Sequence, residues 1–139
     1  MKKLFTALIA LMLISFSSFA HEGHDHGTGQ VQPTKGGVIQ KAGDLFLEVV
    51  GTKSDVKIYP LKAASKEAKT LVPVALNEVK LVATYMLPRG KATPVTLARS
   101  SDHFEGKIAA GSSHRYEVKL KIESGSMKDE ITYQIEPQE

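Results

Sequence analysis

Between Arg115 and Ile122 the chain reads RYEVKLKI, so that Tyr116, Val118, Leu120 and Ile122 alternate with Arg115, Glu117, Lys119 and Lys121. Side chains of a β-strand point to opposite faces with a period of two, whereas a helix repeats every 3.6 residues. Alternation this regular predicts a half-buried antiparallel strand, one face on a core and one in water. The signature returns after the Ser124-Gly125-Ser126 turn at Lys128–Glu136, where Ile131, Tyr133 and Ile135 share a face. It also occupies Val79–Leu87, with Val79, Leu81, Ala83, Tyr85 and Leu87 on one side.

The rest of the chain beyond Gly36 divides into similar short runs. Gly37–Gln40 and Leu45–Val50 flank a Lys41-Ala42-Gly43-Asp44 turn, and residues 51–55 close a hairpin onto Val56–Leu61. Pro73 confines Leu71–Leu76 to an edge and Pro94 confines Thr93–Ala98 to an edge or a strand start, because proline has no N–H for a ladder. Phe104–Ala109 follows a polar Ser100-Ser101-Asp102-His103 loop. Lys62–Thr70 is too short and polar to hold a helix alone, and reads as a loop or one helical turn. About seven or eight short strands with no long helix predict an all-β fold, a two-sheet antiparallel sandwich rather than a closed barrel. The chain has no Cys and no Trp, so "immunoglobulin-like" describes architecture only.

The first twenty residues, MKKLFTALIALMLISFSSFA, carry a different message. Lys2 and Lys3 precede an apolar run, and Ser18-Phe19-Ala20 sets small residues at −3 and −1 of a cut after Ala20, the pattern of a secretory signal peptide. A membrane anchor would need about 20 apolar residues, and Ser15, Ser17 and Ser18 interrupt this run. The expected product is exported, periplasmic and without a stable membrane anchor. Removing Lys2 and Lys3 from 18 basic residues leaves 16 against 15 acidic. A near-neutral chain lacks the footprint for nucleic acid or an anionic membrane. The missing cysteines exclude disulfides, thiolate metal sites and Cys nucleophiles, but 119 mature residues bury one core unaided.

Between the cut and the first strand lies HEGHDHGTGQVQPTK, residues 21–35, which has no apolar periodicity and reads as a flexible tail before a domain spanning 36–139. His21, His24 and His26 fall in its first six residues, with Glu22 and Asp25 between them and Gly23, Gly27 and Gly29 easing the backbone. Neutral imidazole binds Cu(II), Ni(II) and Zn(II). Cleavage after Ala20 gives His21 a free α-amine, whose reference pKa of about 7.7–8.0 lets a metal displace its proton near neutrality. Amine, imidazole and carboxylate donors favour Cu(II), the strongest binder of the divalent series, with Zn(II) or Ni(II) as alternatives. Against this stands the plain reading of a solvated polar tail. Gly23 takes the third place, where a histidine would have given a square-planar amine–amide–imidazole site.

His103 and His114 flank the Phe104–Ala109 strand. They are either two unrelated surface histidines or, if their loops reach the tail, completing ligands, with Asp102 as ligand or as orienting partner. Met86 and Met127 form no Met-rich run and read as filler rather than Cu(I) ligands. No nucleophile elbow, phosphate-binding glycine loop or zinc-protease helix is present, and no enzyme activity is expected.

Gly36-Gly37 after a His-rich tail, Leu47-Glu48-Val49-Val50, Val56-Lys57-Ile58-Tyr59 and Phe104-Glu105-Gly106 before two alternating strands together form a pattern. It resembles small exported proteins found beside heavy-metal resistance systems, and a module in the N-terminal part of some metal-efflux periplasmic adaptor proteins. The resemblance implies a β-sandwich that binds or hands over metal, such as copper, at an efflux complex. Lys35 stands where the group often has His, and Pro60-Leu61-Lys62 where it commonly has Asp. The two readings carried forward are a periplasmic metal buffer or donor, and a non-catalytic module docking on a metal-efflux adaptor or other envelope protein.

Overall fold

The computed structural model describes residues 31–66 and 70–139. Among them the chain forms ten strands: β1 (Val38–Ala42), β2 (Leu45–Gly51), β3 (Asp55–Ala63), β4 (Leu71–Pro73), β5 (Lys80–Met86), β6 (Thr93–Val95), β7 (Leu97–Arg99), β8 (Phe104–Lys107), β9 (Tyr116–Ser124) and β10 (Met127–Ile135). A single 3-10 turn, Leu76–Glu78, precedes β5. One sheet runs β1-β2-β3-β8-β7 with β4 pairing the far half of β3, and the other runs β10-β9-β5-β6. All pairings between these strands are antiparallel.

The sandwich expected from the alternation is therefore the fold. Its strand orders match the immunoglobulin arrangement: β10-β9-β5-β6 stands as G-F-C-C′, and β7-β8-β3-β2 as D-E-B-A, with β1 added outside the last. There are more strands than expected for two reasons. The Thr93–Ala98 run breaks at Thr96, so β6 belongs to one sheet and β7 to the other, and the three-residue β4 pairs separately. Gly106 on β8 permits this crossing, because a Cβ there would run into Val95 and the Thr96 carbonyl.

The core lies between the sheets. Leu47, Val49, Val56 and Ile58 from one sheet meet Val118, Leu120, Ile122 and Tyr133 from the other, all at most 1% exposed. Burial of such side chains contributes roughly 1.5–3 kcal/mol each. Two tyrosines tie the sheets together: the Tyr133 hydroxyl donates to the Leu47 carbonyl and the Tyr116 hydroxyl to the Thr52 carbonyl, each at 2.9 Å. Met127, expected in a turn, opens β10 and packs on the core beside Gly43.

Candidate functional site

On β2 the residues Leu47 and Val49 face the core, so Glu48 between them points to the outer face of its sheet. An ionised carboxylate on a sheet surface is ordinarily solvated, yet Glu48 is fully buried. The cover is the chain just before β1. The Thr34 N–H and hydroxyl donate to Glu48 Oε2 at 3.0 and 3.3 Å, and the N–H groups of Lys35 and Gly37 donate to Oε1 at 2.7 and 3.1 Å. Four donors satisfy both oxygens, which is the condition for burying such a group. The tail expected to run to Lys35 thus overlaps, at Thr34 and Lys35, with backbone pinned to the sandwich.

Glu48 pairs with Tyr59 on β3. Beside Tyr59 lies His103, one residue before β8, with ring centroids 4.9 Å apart. The Lys35 ammonium sits 5.5 Å from the Tyr59 ring centre. Burial, joined by the charges of Asp102, Glu48 and Glu105, raises the Tyr59 phenol above its ordinary pKa. His103 Nδ1 lies 2.9 Å from Asp102 Oδ1. That bond, with help from the Lys35 charge and against some burial, holds the Asp102 carboxyl below its ordinary range. A carboxylate only accepts, so Nδ1 carries the proton. Nε2 is buried with no hydrogen-bond partner among the described residues, and Glu105 Oε2 is 3.9 Å away.

Of the residues singled out in the sequence, His21, Glu22, His24, Asp25 and His26 lie outside the described residues, as does the signal-like segment. His114 is exposed on the loop after β8, whereas His103 precedes that strand. No hydrogen bond or ion pair joins the two among the described residues. There, no three His, Asp or Glu side chains form a group able to hold a metal ion. Two hollows of about 560 Å³ each lie among the described residues, one between β1 and the end of β10, reaching Gly36 and Gly37, the other around the Pro88–Gly90 turn; neither is lined by His103. Tyr59 and Glu105 beside His103, and Glu48 beside Tyr59, are not among the site residues the sequence points to. A signal for Glu48 was available: Phe46, Glu48 and Val50 share a face, and two apolar residues on an outer face imply a cover.

No protein-family model matches the chain, and no curated protein matches it. Among solved structures it is similar to a DUF4426 family protein from Pseudomonas aeruginosa PAO1, with a TM-score of 0.52 and 15% identity over 77% of this chain and 100% of that one. At that identity the likeness is one of fold: this chain shares the β-sandwich of the DUF4426 protein.

Proposed function

We propose that the mature protein is a periplasmic, non-enzymatic metal-binding protein that buffers a divalent transition metal or hands it to an envelope acceptor such as an efflux adaptor. Cu(II) is the favoured ion. The chelator is the His21, His24 and His26 cluster, with Glu22, Asp25 and the α-amine released by cleavage after Ala20. One observation of the fold carries this reading. The backbone of Thr34, Lys35 and Gly37, which follows the His-rich stretch, is fixed on buried Glu48 beside Tyr59 and His103. The chain that follows the proposed chelator thus starts next to an imidazole of the body, which supports the reading. The chelator's donor set, imidazole with amine and carboxylate, suits Cu(II) before Ni(II) or Zn(II).

The test is a competition titration of mature protein with Cu(II), Ni(II) and Zn(II). About one equivalent of Cu(II) binds, more weakly as pH falls because protons compete for the same nitrogens. Deleting residues 21–27 removes most of the affinity and leaves the melting temperature unchanged. One extra residue before His21 weakens binding by withdrawing the amine from the chelate. A correctly trimmed, metal-free product that refuses all three ions overturns the reading.

A further inference from the structure

Strand β10 ends its sheet, and its outer side is only partly closed. In an antiparallel pair, alternate residues turn their backbone groups toward the partner strand and away from it. The Thr132 carbonyl points away from β9, since the side-chain amide of Gln40 on β1 donates to it at 2.8 Å. The β9–β10 register runs unbroken to Ile135, so Gln134, two places on, also turns its N–H and C=O away from β9. Among the described residues no turn or loop backbone group bonds to them. On that side lies the hollow between β1 and β10, lined by Gln134 itself, Arg115 and the exposed Val38.

Arg115 and Gln134 also line the hollow around the Pro88–Gly90 turn, so the two hollows join as one groove around the end of β10. Arg89 lines this second part. The Gly90 N–H donates to the Leu87 carbonyl at 2.8 Å, closing a turn with Arg89 in third place at φ 62°. That left-handed place suits Gly or Asn, and Arg89 is the one non-glycine residue at positive φ among the described residues. Strain of this kind gathers at ligand clamps, and here it sets a guanidinium at the groove. Two acids border it as well, Glu117 and Glu136. The Glu117 carboxylate accepts from the Gln134 side-chain amide at 3.0 Å. Among the described residues no ion pair reaches Arg89 or Arg115.

We propose that this groove binds an extended, acidic peptide segment of another protein. The segment exchanges a pair of backbone hydrogen bonds with Gln134, as a strand added to a sheet edge does. Its carboxylates pair with Arg115 and Arg89, whose forked donors match them in two parallel bonds, and an apolar side chain covers Val38. Gln40 at Thr132 and the bond from Gln138 to Gly51 limit the backbone contact to this one rung, so the arginines supply most of the affinity. The paired backbone donor and acceptor favour a peptide over a free small acid, which cannot use both.

The experiment uses the mature full-length protein, kept metal-free with a chelator so that the outcome is independent of the His-rich segment. The probe is a short blocked peptide of alternating valine and glutamate, compared with its glutamine counterpart and with free succinate. The acidic peptide shifts the backbone amide resonances of Val38, Arg115 and Gln134, and the Gln134 N–H gains protection from hydrogen exchange. The glutamine counterpart binds about tenfold more weakly, as does the acidic peptide to Arg115→Gln, while Arg99→Gln on β7 changes nothing. Arg89→Gly suits its turn better: it melts above wild type yet binds the acidic peptide more weakly, a split that a purely structural arginine does not give. No shift at these amides, or an Arg115→Gln variant of wild-type affinity, overturns the proposal. Succinate that shifts the same amides as strongly, with no protection of Gln134 by the peptide, also overturns it and makes the groove a site for small acids.

Discussion

Glu48 shows how one residue can decide where a chain segment goes. Its carboxylate is fully buried and accepts from Thr34, Lys35 and Gly37. Glu48→Gln keeps the shape but replaces one oxygen by an NH2 group, which cannot accept. The donors facing it lose their partner, at a cost of about 1–3 kcal/mol. Chemical denaturation reads that loss, and hydrogen exchange shows the amides of Thr34, Lys35 and Gly37 losing protection while β9 keeps its own. Unchanged protection at those amides would sink the assignment of Glu48 as the clamp. From the sequence this role was only half legible. The residue is visible inside LFLEVV, but three of its four donors are backbone N–H groups eleven to fourteen positions away, and no pattern of side chains encodes them. His103 was singled out for its type. Its pairing with Asp102 was anticipated as an option, whereas its approach to Tyr59 depends on the β3–β8 register.

At the scale of elements, alternation is strong evidence where one face is buried and the other wet, as in β9 and β10. Their alternating burial follows the sequence residue for residue from Tyr116 to Ile122. Where a run changes sheets the pattern carries no mark of the change. Val95 is buried, and nothing in Thr93–Ala98 shows that Thr96 divides it. Close approach between elements is also invisible until the sheets are stacked. Gly51, at the end of β2, lies where a Cβ would run into the Tyr116 hydroxyl and the Ile135 side chain. Gly51→Ala therefore pushes β9 and β10 away and strains the Tyr116–Thr52 hydrogen bond. We expect a loss of about 1–3 kcal/mol, read as a lower denaturation midpoint with an unchanged slope. A variant as stable as wild type would mean that the two sheets have slack at this point.

For the whole molecule, pH acts through a few paired groups. The bond from Lys107, then that from Ser54, holds Asp55 below its ordinary pKa, and the bond from His103 does so for Asp102. A depressed carboxylate contributes stability above its unfolded pKa, near 3.9, and loses it as pH falls through the lower folded value. Stability measured by denaturant is expected to hold from neutrality to about pH 5 and to fall below about pH 4, with a shallower fall in an Asp55→Asn, Asp102→Asn double variant. An identical acid limb in that variant would assign the fall to other groups. Tyr116 and Tyr133 act at the other extreme. Burial raises both phenols, so the stability they contribute is present below their unfolded value and is lost as pH climbs past about 10.

The two ends of the sandwich meet. Gln138 donates its side-chain amide to the Gly36 carbonyl at 2.6 Å and its backbone N–H to Gly51 at 2.8 Å. The polypeptide of the body is thus close to a closed ring, entering and leaving at one spot. Whatever touches that corner therefore touches the first and the last parts of the body together, and a change at Gly36, Gly51 or Gln138 is felt at both ends of the chain.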